Sequence, residues 1–413
     1  MQDVECFSCD AVYGWQFRII LNHREHEVRI AHIITRMIIG GAQENTLLNC
    51  LDLIREYDDD VLLLTGPALG PEGDLLSQGR AGELPVKVLP SLRRDIHPKW
   101  DWLANREIGN ALKDFNPDVV HTHSAKGGLL GRRAAWKLNV PAVIHTIHGA
   151  PFHPYQPSLA REFFRRCERW ASARCHHLIS VADAMTDLMV EAGVAPREKF
   201  TTIYSGMNVE PFTRAKEHRA AVRKKYGFED EHVVIGKIAR LFHLKGHQDL
   251  IKAAVPVVKR QPNVRFLLVG DGILRESLTQ ELEELGLSKH FVFAGLVPPN
   301  EVPMLLGGMD ALVHASYREG LARALPQALI AGLPVISYDV DGAREVTITG
   351  ETGILVPAQD VHALSQALGK LASDNALRQE LGTEGQRRFT EQFDHRTMTA
   401  RVREVYLEQI TRN

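Results

Sequence analysis

Cysteine is scarce in this chain: there are five in 413 residues, at positions 6, 9, 50, 167 and 175. Their spacing forms no regular framework, which argues against a disulfide-stapled scaffold and fits a reducing compartment. Net charge is nearly absent too, at -2, so no global field points to nucleic acid as a partner. No apolar run approaches the roughly 20 residues that a membrane-spanning helix needs. Residues 1–27 lack the basic start, long apolar region and small-residue cleavage site of a secretory signal. The cytoplasm is the expected location. Several nucleotide and nucleophile signatures are also missing. No GxxxxGK[ST] occurs, which excludes a P-loop, and Gly270-Asp271-Gly272 lacks the third glycine of a dinucleotide fingerprint. There is no GxSxG elbow.

The residues that are present read as a soluble globular protein, with 44% hydrophobic and 24% charged residues. The length exceeds one ordinary core and predicts two domains. Residues 1–27 read as an extension without clear periodicity, and the lone Cys6-x-x-Cys9 in it is a weak zinc signal. From Val28 onward, continuous apolar runs alternate with helical patterns. The runs are 28–34, 61–65, 86–90, 117–124, 141–149, 177–182 and 200–208, and then 232–240, 264–272, 290–295, 310–316, 334–340 and 353–357. Unbroken apolar strands alternating with helices predict parallel sheets covered on both faces. The fold class is therefore α/β: two Rossmann-like parallel-sheet halves, 28–208 and 209–385, facing each other across a cleft. Residues 386–413 read as a helix that returns to the first half.

The stretch 310–340 organises the second half. A short apolar strand is broken by Tyr317-Arg318-Glu319-Gly320, and helical spacing then runs from Leu321 to Ala331. Such a turn is expected to aim free backbone N–H groups and the helix dipole at a ligand. Glu319 in the turn can accept hydrogen bonds from hydroxyls, or can simply cap the helix. Gln327, two turns further on, can share its crevice. Arg240 ends another strand and Lys245 follows just before a helix, a pairing suited to a diphosphate, or a solvated basic loop. His121 and His123 share a strand face, and His145, His148 and His153 cluster, but no carboxylate or cysteine completes a metal set in sequence. On the segment 158–173, Arg161, Arg165, Arg166 and Arg169 interleave with Phe163, Phe164 and Trp170. That pattern suits either peripheral membrane contact or an ordinary solvated helix.

Taken together, Arg240 with Lys245, Gly270-Asp271-Gly272, and Glu319-Gly320-Leu321 ahead of Gln327 resemble the donor-binding half of family 4 glycosyltransferases. Gly40-Gly41-Ala42, His121-Thr122-His123-Ser124 and Thr146-Ile147-His148-Gly149 are similar to the acceptor-side motifs, and Tyr204-Ser205-Gly206-Met207-Asn208 to the interdomain segment. The resemblance implies a GT-B fold and a retaining transferase that uses a nucleotide-diphosphate sugar, UDP-linked, with no metal or other cofactor. It implies a glycan or lipid-linked acceptor, in polysaccharide or glycolipid biosynthesis. By position, Arg240 and Lys245 hold the diphosphate, Glu319 the donor sugar, and Gly320 and Leu321 offer N–H groups to phosphate. His148 sits beside the transferring sugar, backbone near Val297 meets the base, and Gly41 and Gly272 approach the donor. The chain departs from the family pattern in two places: Gln327 replaces the second Glu, which binds the ribose, and Ala322 replaces Pro. A nucleotide-sugar 2-epimerase of the same fold and a catalytically impaired binding protein are the competing readings.

Overall fold

The computed structural model describes residues 27–69, 73–76 and 82–412, so the Cys6-x-x-Cys9 expectation lies outside the described residues. Among the described residues thirteen strands form two sheets, every ladder parallel. The first sheet contains β1 (Arg29–Arg36), β2 (Asp60–Gly66), β3 (Val86–Val88), β4 (Val119–His123), β5 (Ala142–Ile147), β6 (His177–Ser180) and β7 (Phe200–Thr202). The second contains β8 (Val233–Ile238), β9 (Val264–Val269), β10 (Phe291–Gly295), β11 (Ala311–His314), β12 (Val335–Tyr338) and β13 (Gly353–Val356). Strands such as β4, β5, β11 and β12 are buried at every position, because helices cover both faces of a parallel sheet. Each sheet accordingly separates two apolar clusters, one per face.

The strand orders are β3-β2-β1-β4-β5-β6-β7 and β10-β9-β8-β11-β12-β13. Both reverse direction at one point, between β1 and β4 in the first sheet and between β8 and β11 in the second. In open α/β sheets ligands bind beyond the carboxyl ends of the strands at such a switch point. The loop after β8 carries Arg240 and Lys245, and the turn after β11 carries Glu319. The segments after β1 and β5 carry Gly41 and His148. Topology therefore places the motifs of each half at the carboxyl end of its own sheet, and residues of both ends line one cavity.

The final two helices cross between the halves. The helix Asn375–Gln392 still packs on the second domain, where Gly385 lies against Leu329. The boundary expected at 385/386 therefore falls inside a helix. The crossing comes at Phe393–Asp394, where Met207 N–H donates to the Phe393 carbonyl (2.9 Å) and His395 N–H to the Met207 carbonyl (3.1 Å). The helix His395–Arg412 then lies on the helix Gly41–Tyr57 of the first domain. It is pinned there by the buried Arg403–Asp59 pair (2.8 Å) and by His395 to Asp52 (2.7 Å).

Candidate active site

Two turns of unusual backbone bring the second-domain residues together. Leu244 has φ 66°, a left-handed conformation seldom adopted outside glycine, and its carbonyl accepts the Tyr317 N–H at 2.9 Å. Gly246 has φ 62°, and a Cβ there would stand 1.8 Å from the Ala315 carbonyl oxygen, so no other residue fits. Lys245, held between them, forms an ion pair with Glu319. Glu319 also accepts the Ser316 hydroxyl (2.9 Å) and pairs with His314 Nε2 (3.2 Å). Burial opposes ionisation of this carboxyl, but His314 and Lys245 outweigh it and hold Glu319 well below the usual carboxylate range.

The alternative of Glu319 as a helix cap is set aside by this geometry. The helix runs only from Ala324 to Ile330, with no side-chain cap, so it starts three residues after the expected Leu321. Its shortness removes the expected dipole site, and the Glu319 N–H is already donated to Asp341 at 2.6 Å. The delay has a packing cause. Gly320 lies so close to the first domain that an added Cβ would meet the His148 carbonyl oxygen at 2.6 Å. Leu321 is half-buried between apolar clusters of both domains.

Gly41, Arg240, Lys245, Glu319 and Gln327 line one cavity of about 280 Å³ between the two sheets. Arg240 is exposed at the end of its strand, its guanidinium carbon 5.0 Å from the centre of the Phe242 ring. Gln327 is half-buried in the wall. Pro299 lines the cavity, whereas Val297 packs half-buried against the second-domain core. Gly272 lies beside Leu241 and Phe242, with its N–H held by Asp271 at 2.8 Å.

Arg323 was not singled out by sequence, yet it joins the walls. Its guanidinium donates to the Gly41 carbonyl (3.4 Å) and the Gly206 carbonyl (3.3 Å) and pairs with Glu44 (3.2 Å). Glu345 makes a second tie. Its carboxylate accepts the N–H groups of Asp183 and Ala184, each at 2.9 Å, and the Tyr204 hydroxyl at 2.9 Å. A second-domain anion thus sits at the start of the first-domain helix Asp183–Glu191, where the helix dipole favours it.

The histidines form a hydrogen-bonded stack under the first-domain rim. His32 Nδ1 meets His123 Nε2 at 3.0 Å, and His123 Nδ1 meets His148 Nε2 at 3.2 Å. His121 is engaged at both nitrogens, by the Tyr406 hydroxyl (2.5 Å) and the Thr146 hydroxyl (2.7 Å). His145 contacts the Thr122 hydroxyl (2.9 Å). Sequence grouped His145, His148 and His153. The structure instead joins His148 to His123 and His32, and places His153 in another cavity. Potential ligand atoms of His32, His121 and His123 lie within 4.8 Å of one another. Burial pushes the His32 and His148 imidazoles down to about 3 and about 4 respectively, with Arg323 also lowering His148.

A second cavity, of about 440 Å³, also has Glu319 in its wall. Phe152, Tyr155, Arg161, Arg165 and Arg318 contribute to its walls together with Glu162 and Asp341, so it combines apolar surface with charges of both signs. Arg318 closes it by donating to the Ala150 carbonyl of the first domain.

Residues 40–211 match the family described as Glycosyltransferase Family 4, and residues 218–388 match Glycosyl transferases group 1. An Escherichia coli relative, UDP-Gal:alpha-D-GlcNAc-diphosphoundecaprenol alpha-1,3-galactosyltransferase, is 26% identical over 85% of this chain and 89% of its own. A Mycolicibacterium smegmatis relative, GDP-mannose-dependent alpha-(1-6)-phosphatidylinositol monomannoside mannosyltransferase, is 26% identical over 67% of this chain and 72% of its own. Among solved structures, Anabaena HepE in complex with UDP and glucose superposes with a TM-score of 0.76 at 20% identity, covering 92% of this chain and 99% of that one. A glycosyltransferase from Rickettsia africae gives 0.77 at 19% identity, covering 94% and 100%. These likenesses establish the GT-B arrangement of the two sheets.

Proposed function

The chain belongs to glycosyltransferase family 4, and we propose that it is a retaining enzyme that moves a hexose from a UDP-linked nucleotide sugar to a glycan or lipid-linked acceptor in polysaccharide or glycolipid assembly. The observation that carries this reading is the shared cavity, in which Arg240, Lys245, Glu319 and Gln327 from one domain face Gly41 of the other. Breaking a sugar–phosphate bond builds negative charge on the departing diphosphate and positive charge at the anomeric carbon. Arg240 and Lys245 line that cavity and supply the cations against which the first charge grows. The ionised Glu319 lines both cavities, so it can hold sugar hydroxyls in the donor cavity while an acceptor enters through the other. His148 lies at the domain contact beside Gly320, the residue after Glu319. The Escherichia coli relative, named for UDP-Gal and a diphosphoundecaprenol-linked sugar, and the HepE structure with bound UDP and glucose support the choice of donor and acceptor class.

The test is incubation with a panel of nucleotide sugars and lipid-linked acceptors, monitoring nucleotide diphosphate release and product anomeric configuration. The two cations take the role a divalent ion has at other diphosphate sites, so the reading includes turnover in EDTA. Release of the 2-epimer, or nucleotide binding without any turnover, would replace it with one of the competing readings.

Gln327 tests the ribose assignment. As the wall residue that stands where the family has Glu, its amide can partly satisfy two hydroxyls. Gln327→Glu is expected to keep or tighten donor binding by about 1 kcal/mol, because a carboxylate makes the stronger hydrogen bonds. Gln327→Leu is expected to weaken binding by at least as much. Calorimetry on both variants decides it, and unchanged binding in the leucine variant would reduce Gln327 to a packing residue.

Membrane contact belongs to the same reading. No helix among the described residues is long and apolar enough to cross a membrane. The helix Ser158–Ser172 nevertheless exposes Leu159 (86%), Phe163 (52%) and Trp170 (39%) beside Arg166 and Arg169. Phe164, by contrast, packs against the first-domain core. Peripheral attachment through this face predicts flotation with anionic liposomes at low salt, lost in Leu159→Ser/Phe163→Ser. Equal flotation of variant and parent would rule the face out.

A further inference from the structure

β8 carries one residue that does not suit a buried strand. Lys237 is 0% exposed, and its ammonium nitrogen finds no hydrogen-bond partner among the described residues. Its ladder partner on β9 is Leu268. A lone buried ammonium is among the costliest groups to keep charged, and it discharges unless something nearby compensates.

The surrounding groups come from every element packed on this part of the strand. The loop after β8 brings Lys245, the helix His247–Arg260 brings His247 and Asp249, and β11 with its turn brings His314 and Glu319. Little of this compensates Lys237. Lys245 and Glu319 are engaged with each other. One Asp249 oxygen is taken by the hydroxyls of Tyr317 and Tyr338, both at 2.8 Å. His247 Nε2 donates to the Arg240 carbonyl at 2.9 Å, and burial holds this imidazole neutral. The Nδ1 atoms of His247 and His314 are likewise without partners. Three unpartnered nitrogens thus lie close to the donor cavity, whose wall includes His314 and Ile238, the residue after Lys237. Burial, with Lys245 adding to it, pushes the Lys237 ammonium down to about 7, while Glu319 and Asp249 act the other way.

We propose that Lys237 is a proton-uptake site coupled to donor binding: as the donor's two phosphates settle against Arg240 and Lys245, Lys237 takes a proton from solvent and becomes an ammonium beneath them. This rests on the nucleotide-sugar reading and deepens it. The step balances simply. The Nζ lone pair forms one N–H bond with a proton released by buffer, and the proton returns when the nucleotide leaves. Two fixed negative charges arriving near a fully buried amine favour its protonated form. By linkage, donor affinity then falls as pH rises past the point where free Lys237 loses its proton.

The experiment is calorimetric titration of the full chain with UDP-glucose, and with GDP-mannose as a second probe, in buffers of different ionisation enthalpy. Both phosphates of a nucleotide sugar are esterified, so the ligand contributes no titrating proton near neutrality. Uptake of about one proton is expected at pH 8, and close to none at pH 6, where Lys237 is already charged. Wild-type affinity should fall by up to about tenfold per pH unit above 7. Lys237→Met, similar in length and uncharged, should bind with no proton uptake at either pH. Binding without uptake at pH 8, or uptake unchanged in Lys237→Met, overturns the proposal while leaving the donor reading intact. The wild-type comparison of pH 6 with pH 8 decides even if the variant fails to fold. Failure of both probes to bind overturns the donor reading and this inference with it.

Discussion

Lys245→Ala is expected to lower kcat/KM by about two to three orders of magnitude, the scale of losing one preorganised charge contact to a developing anion. Two effects combine in this number. On the proposed reading the diphosphate loses a cation, and Glu319 loses the ion pair that, with His314, keeps it ionised despite burial. Glu319→Gln separates them. It retains an acceptor for the Ser316 hydroxyl, which donates at 2.9 Å, but removes the charge that the proposed reading sets beside the reacting sugar, so kcat should fall while donor affinity changes less. The double variant should cost less than the sum of the singles, because the two residues act on each other. Arg240→Ala should resemble Lys245→Ala in its effect on turnover and leave Glu319 undisturbed. Near-normal rates in both cation variants would mean that the diphosphate binds elsewhere.

The expected strands correspond to those of the structure because parallel strands, buried on both faces, are continuous apolar runs with polar ends. Arg240, Lys245, Glu319 and Gln327 were visible for a related reason. Arg240, Lys245 and Glu319 follow strand ends and Gln327 lies on the helix after one, and all four line one cavity. What the sequence concealed depends on pairing across distance. Arg323 contacts Glu44 from 279 positions away, and nothing local to either residue announces it. Glu345 looks like an ordinary surface acid until the first-domain helix arrives above it. His32 sits in an apolar run that gives no sign of the His123 ring 3.0 Å from it. Lys237 is hidden in the same way, as one cation inside an otherwise apolar strand. The delayed start of the helix at Ala324 could not be read from periodicity, because Leu321 is apolar at helical spacing yet spends its burial on the domain contact.

The histidine stack makes acid stability the largest expected effect outside catalysis. His32, His121, His123, His145 and His148 are all held below their ordinary range, with burial the leading cause in each. A histidine whose folded value is lowered binds protons more readily when unfolded. Stability is therefore full above the unfolded value near 6.5 and drains away as pH falls from there toward about 4, the value for His148. Each such group contributes at most about 1.4 kcal/mol per pH unit in that window. Even half of that from five groups amounts to about 5 kcal/mol between pH 6.5 and 5, comparable with the whole stability of a domain. The first domain should accordingly unfold near pH 5, ahead of the second. The measurement is direct, because Trp100, Trp102, Trp136 and Trp170 lie in the first half and no tryptophan follows residue 170. Urea midpoints followed by tryptophan fluorescence should hold steady from pH 8 to 7 and drop steeply below 6. In His123→Gln the slope should shrink by about one proton, since glutamine keeps a polar contact with its neighbours but does not titrate. A first-domain midpoint that stays flat from pH 7.5 to 5 would show that these imidazoles take up protons as freely folded as unfolded, and that the stack does not hold them neutral.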